Sequence, residues 1–343
     1  MEEAMIARGM AETGQLICDL KLGYSCNNDC LHCVIAGNRD ALLARSMAID
    51  LTTEQAMNLL REYHRQGAAR VVLTGGEPTI REDFVDLVRQ AQSWGFAVGI
   101  QTNGRALACE ALCDAIRGFD RLCFTIPLHG DSADFHDAVT QRQGSFEQTL
   151  AGIRNLARRG CRVEGKVVMS RGNLSRLGGM LKIYAESGVK RVNFAYPHAL
   201  GNARKNRHLL LPRYTELGGC LEALIGAAQE FEVAIDFEAV PFCVIPAFPE
   251  LVGELHELRG SEKRFTPVHD KTRDWNHARR AIKAKGPGCS RCVYDMICEG
   301  PWSEYLAWFG DVDLKPVEQD SPGVQKALEM IVRLCRKGSV PCG

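Results

Sequence analysis

Apolar residues along the first two-thirds of the chain fall into two alternating textures. Short apolar runs read LICDLKL (16–22), ARVVLTGG (69–76), FAVGIQTNG (96–104), DRLCFTIP (120–127), CRVEGKVVM (161–169) and KRVNFAYP (190–197). Their length and their Val, Ile and Phe content predict strands. Between most of them lie longer stretches with apolar residues at helical spacing, at 53–66, 83–94, 109–117, 146–159 and 175–187. In TTEQAMNLLREYHRQG, Thr52 or Thr53 can cap a helix, Leu59, Leu60 and Tyr63 supply its apolar stripe, and Gly67 ends it. Strand–helix alternation of this kind predicts an α/β fold of successive right-handed βα units, curled into a partial (β/α)6, TIM-like barrel.

The texture changes after about residue 200. A helix is expected over 213–230, then FEVAIDFEAVPFC alternates like a strand, and a closing helix is expected around 323–336. Residues 259–285 are rich in Lys and Arg and read as a solvated linker. The pattern divides the chain into a lead-in (1–15), a barrel (16–200), a linking helix region (201–230) and a C-terminal α+β extension (231–343).

Charge narrows the choice of partners. The chain has 42 basic and 42 acidic residues among 343, so no global field draws it to nucleic acid or to anionic lipid. No apolar run is long enough to span a bilayer and the first residues lack the apolar core of a secretory signal, so a cytoplasmic protein is expected. Nucleic acid and membrane are not expected partners.

Cysteine changes the picture most. The chain carries 15 cysteines, an odd number, and a chain of this length needs no disulfide framework. Two clusters are too close-spaced to be accidental. CNNDCLHC places Cys26, Cys30 and Cys33 in a C-x3-C-x2-C loop directly after the first strand, and GCSRCVYDMIC places Cys289, Cys292 and Cys298 near the end. Structural zinc prefers four ligands in two close pairs, whereas three thiolates in one loop suit a four-iron cluster that keeps one coordination position open. For the second cluster Cys243 is the expected fourth ligand, with Cys335 and Cys342 as competitors and zinc as the alternative metal. Cys18, Cys123 and Cys161 on strands, and Cys109, Cys113 and Cys220 on helices, read as buried small hydrophobes.

The motifs after the strands resemble those of the radical S-adenosylmethionine (SAM) superfamily. C-x3-C-x-aromatic-C follows the first strand, with His32 in the aromatic slot, and TGGEP (74–78) follows the second. TNG (102–104) and the PLHG turn (127–130) are weaker echoes. The resemblance implies a [4Fe–4S] cluster on Cys26, Cys30 and Cys33, and SAM contacted by Gly75, Gly76, Glu77 and Pro78, with Thr125 and Lys166 as further candidates. Its C-terminal cysteines resemble the SPASM/twitch extensions that carry auxiliary iron–sulfur clusters. Position 302 is Trp where the full SPASM pattern has another cysteine, which points to one auxiliary cluster and two [4Fe–4S] clusters in all.

Such a protein would cleave SAM reductively and abstract hydrogen from a substrate, expected here to be a ribosomal peptide or protein that is oxidised or crosslinked. A small molecule such as a sugar, nucleoside or cofactor precursor is the alternative substrate, and a non-catalytic iron–sulfur electron carrier the alternative class. His129, Asn193, Tyr196 and His198, at or just after strand ends, are the expected substrate-pocket residues. A reductase would supply electrons, and a separate protein could present a peptide.

Overall fold

The computed structural model describes residues 15–257 and 261–336. Most of the expected lead-in, and Cys342, lie outside them, as does the side chain of Cys335. Nine strands form one sheet: β1 (Leu16–Lys21), β2 (Arg70–Thr74), β3 (Ala97–Gln101), β4 (Leu122–Pro127), β5 (Arg162–Val168), β6 (Arg191–Ala195), β7 (Ala234–Glu238), β8 (Glu262–Thr266) and β9 (Arg273–Asp274). Their order is β7-β6-β5-β4-β3-β2-β1-β8-β9. Every neighbouring pair is parallel except β8–β9, a short antiparallel edge. The two ends of the sheet, β7 and β9, do not pair among the described residues, so the barrel is partial, as the alternation predicts.

The sheet is larger than the six strands expected. FEVAIDFE joins the barrel as β7, with Asn193 opposite Asp236 and Ala195 opposite Glu238. Part of the basic stretch joins as well, which corrects its reading as a linker. EKRFT is β8, in register with β1 so that Cys18 faces Arg264 and Leu20 faces Thr266. The physical reason is local: Thr266 is buried and its hydroxyl meets that of Tyr63, which docks β8 beneath a helix although β8 has almost no apolar pattern.

Strand alternation sorts residues to two faces. Cys18, Leu20, Val71, Leu73, Val98, Ile100, Phe124, Ile126, Val192, Phe194 and Phe237 are buried in one core with the helices. The opposite face carries Asp19, Lys21, Arg70, Gln101, Thr125, Glu164, Lys166, Asn193 and Asp236, a polar barrel lining. The helices α1 (Ala36–Ala44), α2 (Thr53–Arg65), α3 (Phe84–Ser93), α4 (Glu110–Ile116), α5 (Ala133–Thr140), α6 (Ser145–Arg158) and α7 (Leu177–Glu186) follow in the first six units. On α2, Thr52 and Gln55 form a reciprocal capping box and Ala56, Leu60 and Tyr63 are buried. Beyond β6 come two short helices, α8 (Gly201–Lys205) and α9 (Arg207–Leu210), then α10 (Tyr214–Glu230), which buries Leu217, Leu221 and Leu224. The C-terminal part adds α11 (Gly253–Glu257), α12 (Trp275–Ala281), α13 (Ser303–Phe309) and α14 (Val324–Arg336). None of the described helices is long and apolar enough to cross a membrane.

Candidate metal and cofactor site

The C-terminal ends of β1, β2 and β3 bring three loops together. Cys26, Cys30 and Cys33 lie in the loop between β1 and α1, and none is in a disulfide. GGEP follows β2 and TNG follows β3. Backbone contact explains the two glycines. The N–H groups of Gly76 and Glu77 donate to the carbonyls of Gly23 and Ser25, each at 2.8 Å. A Cβ on Gly76 would lie 2.0 Å from the Ser25 carbonyl oxygen, and one on Gly75, at φ +126°, 2.3 Å from that of Gly23. The turn thus rests directly on the start of the cysteine loop.

Glu77 is buried, and its carboxylate is the node of the site. Oε1 accepts from the Thr79 N–H (3.0 Å), the Thr79 hydroxyl (2.6 Å) and the Thr102 hydroxyl (2.5 Å), and Oε2 accepts from the Asn103 N–H (2.6 Å). Burial raises its pKa, and these bonds act in the opposite direction. Four internal donors make Glu77 a residue that positions the two turns. From the TNG turn, Asn103 Nδ2 donates to Asn27 Oδ1 (2.6 Å) and approaches Cys26 Sγ (3.8 Å). Arg105 reaches the Asn27 carbonyl and, at 2.8 Å, Asn28 Oδ1. On the other side, Asp50 accepts the N–H groups of Tyr24 (2.9 Å) and Ser25 (3.0 Å).

The far half of the loop is held equally well. The N–H groups of Asp29 and Leu31 donate to the Thr140 and Val139 carbonyls at the end of α5, at 3.0 and 2.9 Å. Asn202 Nδ2 donates to the Cys30 carbonyl (3.1 Å) and Asn206 Nδ2 to that of Leu31 (2.9 Å). Asp50, Asn103, Arg105, Asn202 and Asn206 were not singled out by sequence. TNG was noticed as a string, but the partners of these residues lie up to 175 residues away, where spacing carries no signal.

The donor set fits an anionic iron–sulfur group. Burial pushes the Cys30 thiol up to about 12, with Cys26 and Cys33 adding repulsion, so three neutral thiols would give up protons to a bound cation. Backbone N–H groups already point at sulfur: Asn28 at Cys26 (3.4 Å), Ile35 and Ala36 at Cys33. Among the described residues, Cys30, His32 and His129 are also a set whose potential ligand atoms lie within 4.8 Å of one another. Burial lowers His32 to about 4 and holds His129 well below the usual imidazole range, so both rings are neutral and wall off this side of the loop.

Other expected residues divide. Thr125 and Lys166 do face the barrel lining, but Lys166 is held by Glu238 and by Asn193 Oδ1 (2.6 Å), while Asn193 donates to Asp236 (2.6 Å). Two of the expected pocket residues are buried. His129 is buried between His32 and His136, with ring centroids at 4.6 and 5.1 Å. Tyr196 is buried against Tyr214 and Tyr305, its hydroxyl spent on the Pro212 carbonyl (2.7 Å). His198 stacks on Trp302 at 4.2 Å and lies 3.5 Å from Glu304. Cys18 and Cys113 are buried as expected, and Cys123 and Cys161 are half-buried. Cys109 is exposed at the N-cap of α4, and Cys220 is half-buried on α10, which corrects their reading as buried.

The second cysteine group also converges. Cys243, in the turn after β7, lines one small pocket with Cys289, Cys292 and Cys298. Burial and the three neighbouring sulfurs push the Cys243 thiol up to about 12. The Val317 N–H points at Cys292 Sγ (3.3 Å) and that of Gly300 at Cys298 Sγ (3.4 Å). Phe242 and Tyr294, stacked at 4.5 Å, cover one wall. The four thiols and their N–H donors fit a closed, four-cysteine metal group.

A partial β/α barrel with a three-cysteine loop and a GGEP turn at its strand ends defines a class, and comparison with known proteins agrees. Residues 20–173 match the family model described as "Radical SAM superfamily", and this segment is a radical SAM domain. The cofactors of that family are a [4Fe–4S] cluster and SAM. Among curated relatives, the chain is 30% identical over 204 residues to pre-heme d1 synthase of Dinoroseobacter shibae, covering 59% of this chain and 48% of that protein. It is 29% identical over 202 residues to PqqA peptide cyclase of Streptomyces rochei, covering 59% and 54%. The chain thus spans about half the length of these curated relatives. Among solved structures, native anSMEcpe with bound AdoMet and Kp18Cys peptide shares the fold, with a TM-score of 0.62 at 13% identity, over 95% of this chain and 98% of that one.

Proposed function

We propose that this chain is a radical SAM enzyme acting on a ribosomal peptide or protein. In this reading Cys26, Cys30 and Cys33 hold the [4Fe–4S] cluster to which SAM binds, and Cys243, Cys289, Cys292 and Cys298 hold an auxiliary one. When bound, cluster and SAM supply reductive cleavage of SAM and, through it, hydrogen abstraction from the substrate. The observation that carries the reading is the Glu77 node, which locks the GGEP and TNG turns over the cysteine loop at the C-terminal end of the sheet.

The chain's own residues then have definite tasks. Glu77, Asn103 and Arg105 fix the loop, Gly75 and Gly76 let the turn sit against it, and Pro78 starts the turn that follows. SAM and substrate would lie over the polar lining, where Thr125, Lys166 and Asn193 offer hydrogen bonds. The imidazoles of His32 and His129 keep water from the loop on the α5 side. A peptide substrate is supported by the likeness to PqqA peptide cyclase. The likeness to pre-heme d1 synthase favours a small molecule as the second reading. A reductase is required as electron donor, and the cytoplasm is the compartment this chemistry fits.

The test is release of 5′-deoxyadenosine from SAM by the reconstituted chain under dithionite. Release by wild type and none by Cys26→Ala supports the reading; no release by wild type with bound iron contradicts it. Stimulation by a peptide or by a tetrapyrrole then separates the two substrate classes.

A further inference from the structure

Lys21 ends β1, just before the loop that carries Cys26, Cys30 and Cys33. Its neighbours Leu20 and Leu22 are buried in the core with the helices, so the Lys21 side chain leaves the strand on the polar face of the sheet. The register sets Lys21 beside Thr74 on β2, and the Thr74 hydroxyl donates to Gln101 Oε1 on β3 at 2.8 Å. That bond occupies the amide oxygen and leaves the Nε2 donors of Gln101 facing away from Thr74. Gln101 is exposed although it lies within the sheet, so the lumen is open at this level. Among the described residues, neither the Gln101 Nε2 nor the Lys21 ammonium meets an acceptor at hydrogen-bond distance.

Across the lumen the charges are matched. Arg162 pairs with Glu164 at 2.5 Å, Arg191 with Asp236 at 2.9 Å, and Lys166 with Glu238. Lys21 has only the field of Asp19 on the same face of β1, with which it forms no ion pair, and Asp19 feels Lys263 and Arg70 as well. Burial lowers the Lys21 pKa against the pull of Asp19, so water solvates this ammonium poorly and an anion beside it would be held firmly. Neighbouring strands lie about 4.8 Å apart, which puts the Lys21 and Gln101 backbones roughly 10 Å apart, within reach of one small anion from both long side chains.

We propose that Lys21 and Gln101 form a carboxylate subsite in the barrel lumen, and that the substrate presents an acidic side chain or a chain terminus to it beneath the cysteine loop. This rests on the enzyme reading above and adds a specificity determinant to it. One ammonium and one amide match a single carboxylate, which takes a charge-assisted bond from Lys21 and a neutral one from Gln101. Thr74 keeps the amide in the donating orientation. A neutral group in the same place would leave the ammonium unmatched, so the subsite discriminates by charge.

The experiment titrates the reconstituted, SAM-loaded chain anoxically with three probes of nearly equal shape, followed by saturation-transfer NMR. N-acetylglutamate α-amide carries a side-chain carboxylate, N-acetylglutamine a terminal one, and N-acetylglutamine amide none. Wild type should bind one of the acids roughly tenfold more tightly than the neutral amide, and the acid preferred names the source of the carboxylate. Lys21→Met should abolish the preference, Lys21→Arg should keep it, and Gln101→Glu, at an exposed position that tolerates the change, should abolish it too. Equal affinity for all three probes in wild type, or binding of none, overturns the proposal. So does a preference that survives in Gln101→Glu or in a folded Lys21→Met chain. A loss of SAM affinity in Lys21→Met also overturns it, because the carboxylate at Lys21 would then be that of SAM. A wild-type chain that binds no iron fails the enzyme reading instead, and is recognised before any probe is added.

Discussion

The Glu77 carboxylate accepts the Asn103 N–H at 2.6 Å, and through this bond the turn after β2 and the turn after β3 become one support for the cysteine loop. Neither turn alone reaches Cys26 and its neighbours on both sides. The buried carboxylate with its four donors is a small network, and breaking it at the centre leaves several donors unmatched.

Glu77→Ala should therefore lose about 3 kcal/mol of stability and weaken SAM binding, while keeping iron at the cysteine loop. Denaturant unfolding and SAM titration of the reconstituted protein test this. An unchanged unfolding midpoint would show that the node supports nothing.

How much of this was readable beforehand differs from residue to residue. The cysteine loop and the GGEP turn were legible because their chemistry depends on short spacing. Cys243 was reached from a strand end, and its sulfur does line the cavity of Cys289, Cys292 and Cys298. Strand β8 was not legible: EKRFT lacks an apolar period, and it pairs only because β1 leaves an edge free and Tyr63 covers Thr266. Tyr196 looked like a pocket residue at a strand end, but its burial depends on Tyr214 and Tyr305, which no local pattern reveals. The support that Glu77 gives to the loop was hidden for the same reason, since Thr102 and Asn103 arrive from another βα unit.

The histidines predict a pH dependence. Burial lowers His136 to about 4, opposed by Asp137 and assisted by His32 and Arg105, and its Nδ1 accepts the His129 N–H at 3.2 Å. The folded state holds the ring neutral, whereas the unfolded chain protonates it near pH 6.5. Its contribution is therefore present above about pH 6.5 and is lost as the pH falls toward 4, by up to ~3 kcal/mol. His136→Asn keeps an acceptor and cannot titrate. Its stability should fall less steeply than that of wild type between pH 6.5 and 4.5; parallel curves would contradict the assignment.

Cys243→Ala should remove the auxiliary metal without touching the first site. Iron should drop from about eight to about four per chain while 5′-deoxyadenosine release from SAM alone persists. Full iron retention would exclude Cys243 as a ligand, and zinc in place of the lost iron would identify the other metal.

The central claim is that the C-x3-C-x2-C loop holds a [4Fe–4S] cluster, and iron per chain after anoxic reconstitution tests it most directly. Wild type should bind about eight irons and the Cys26→Ala/Cys30→Ala/Cys33→Ala variant about four. Iron unchanged by the triple substitution would contradict the account.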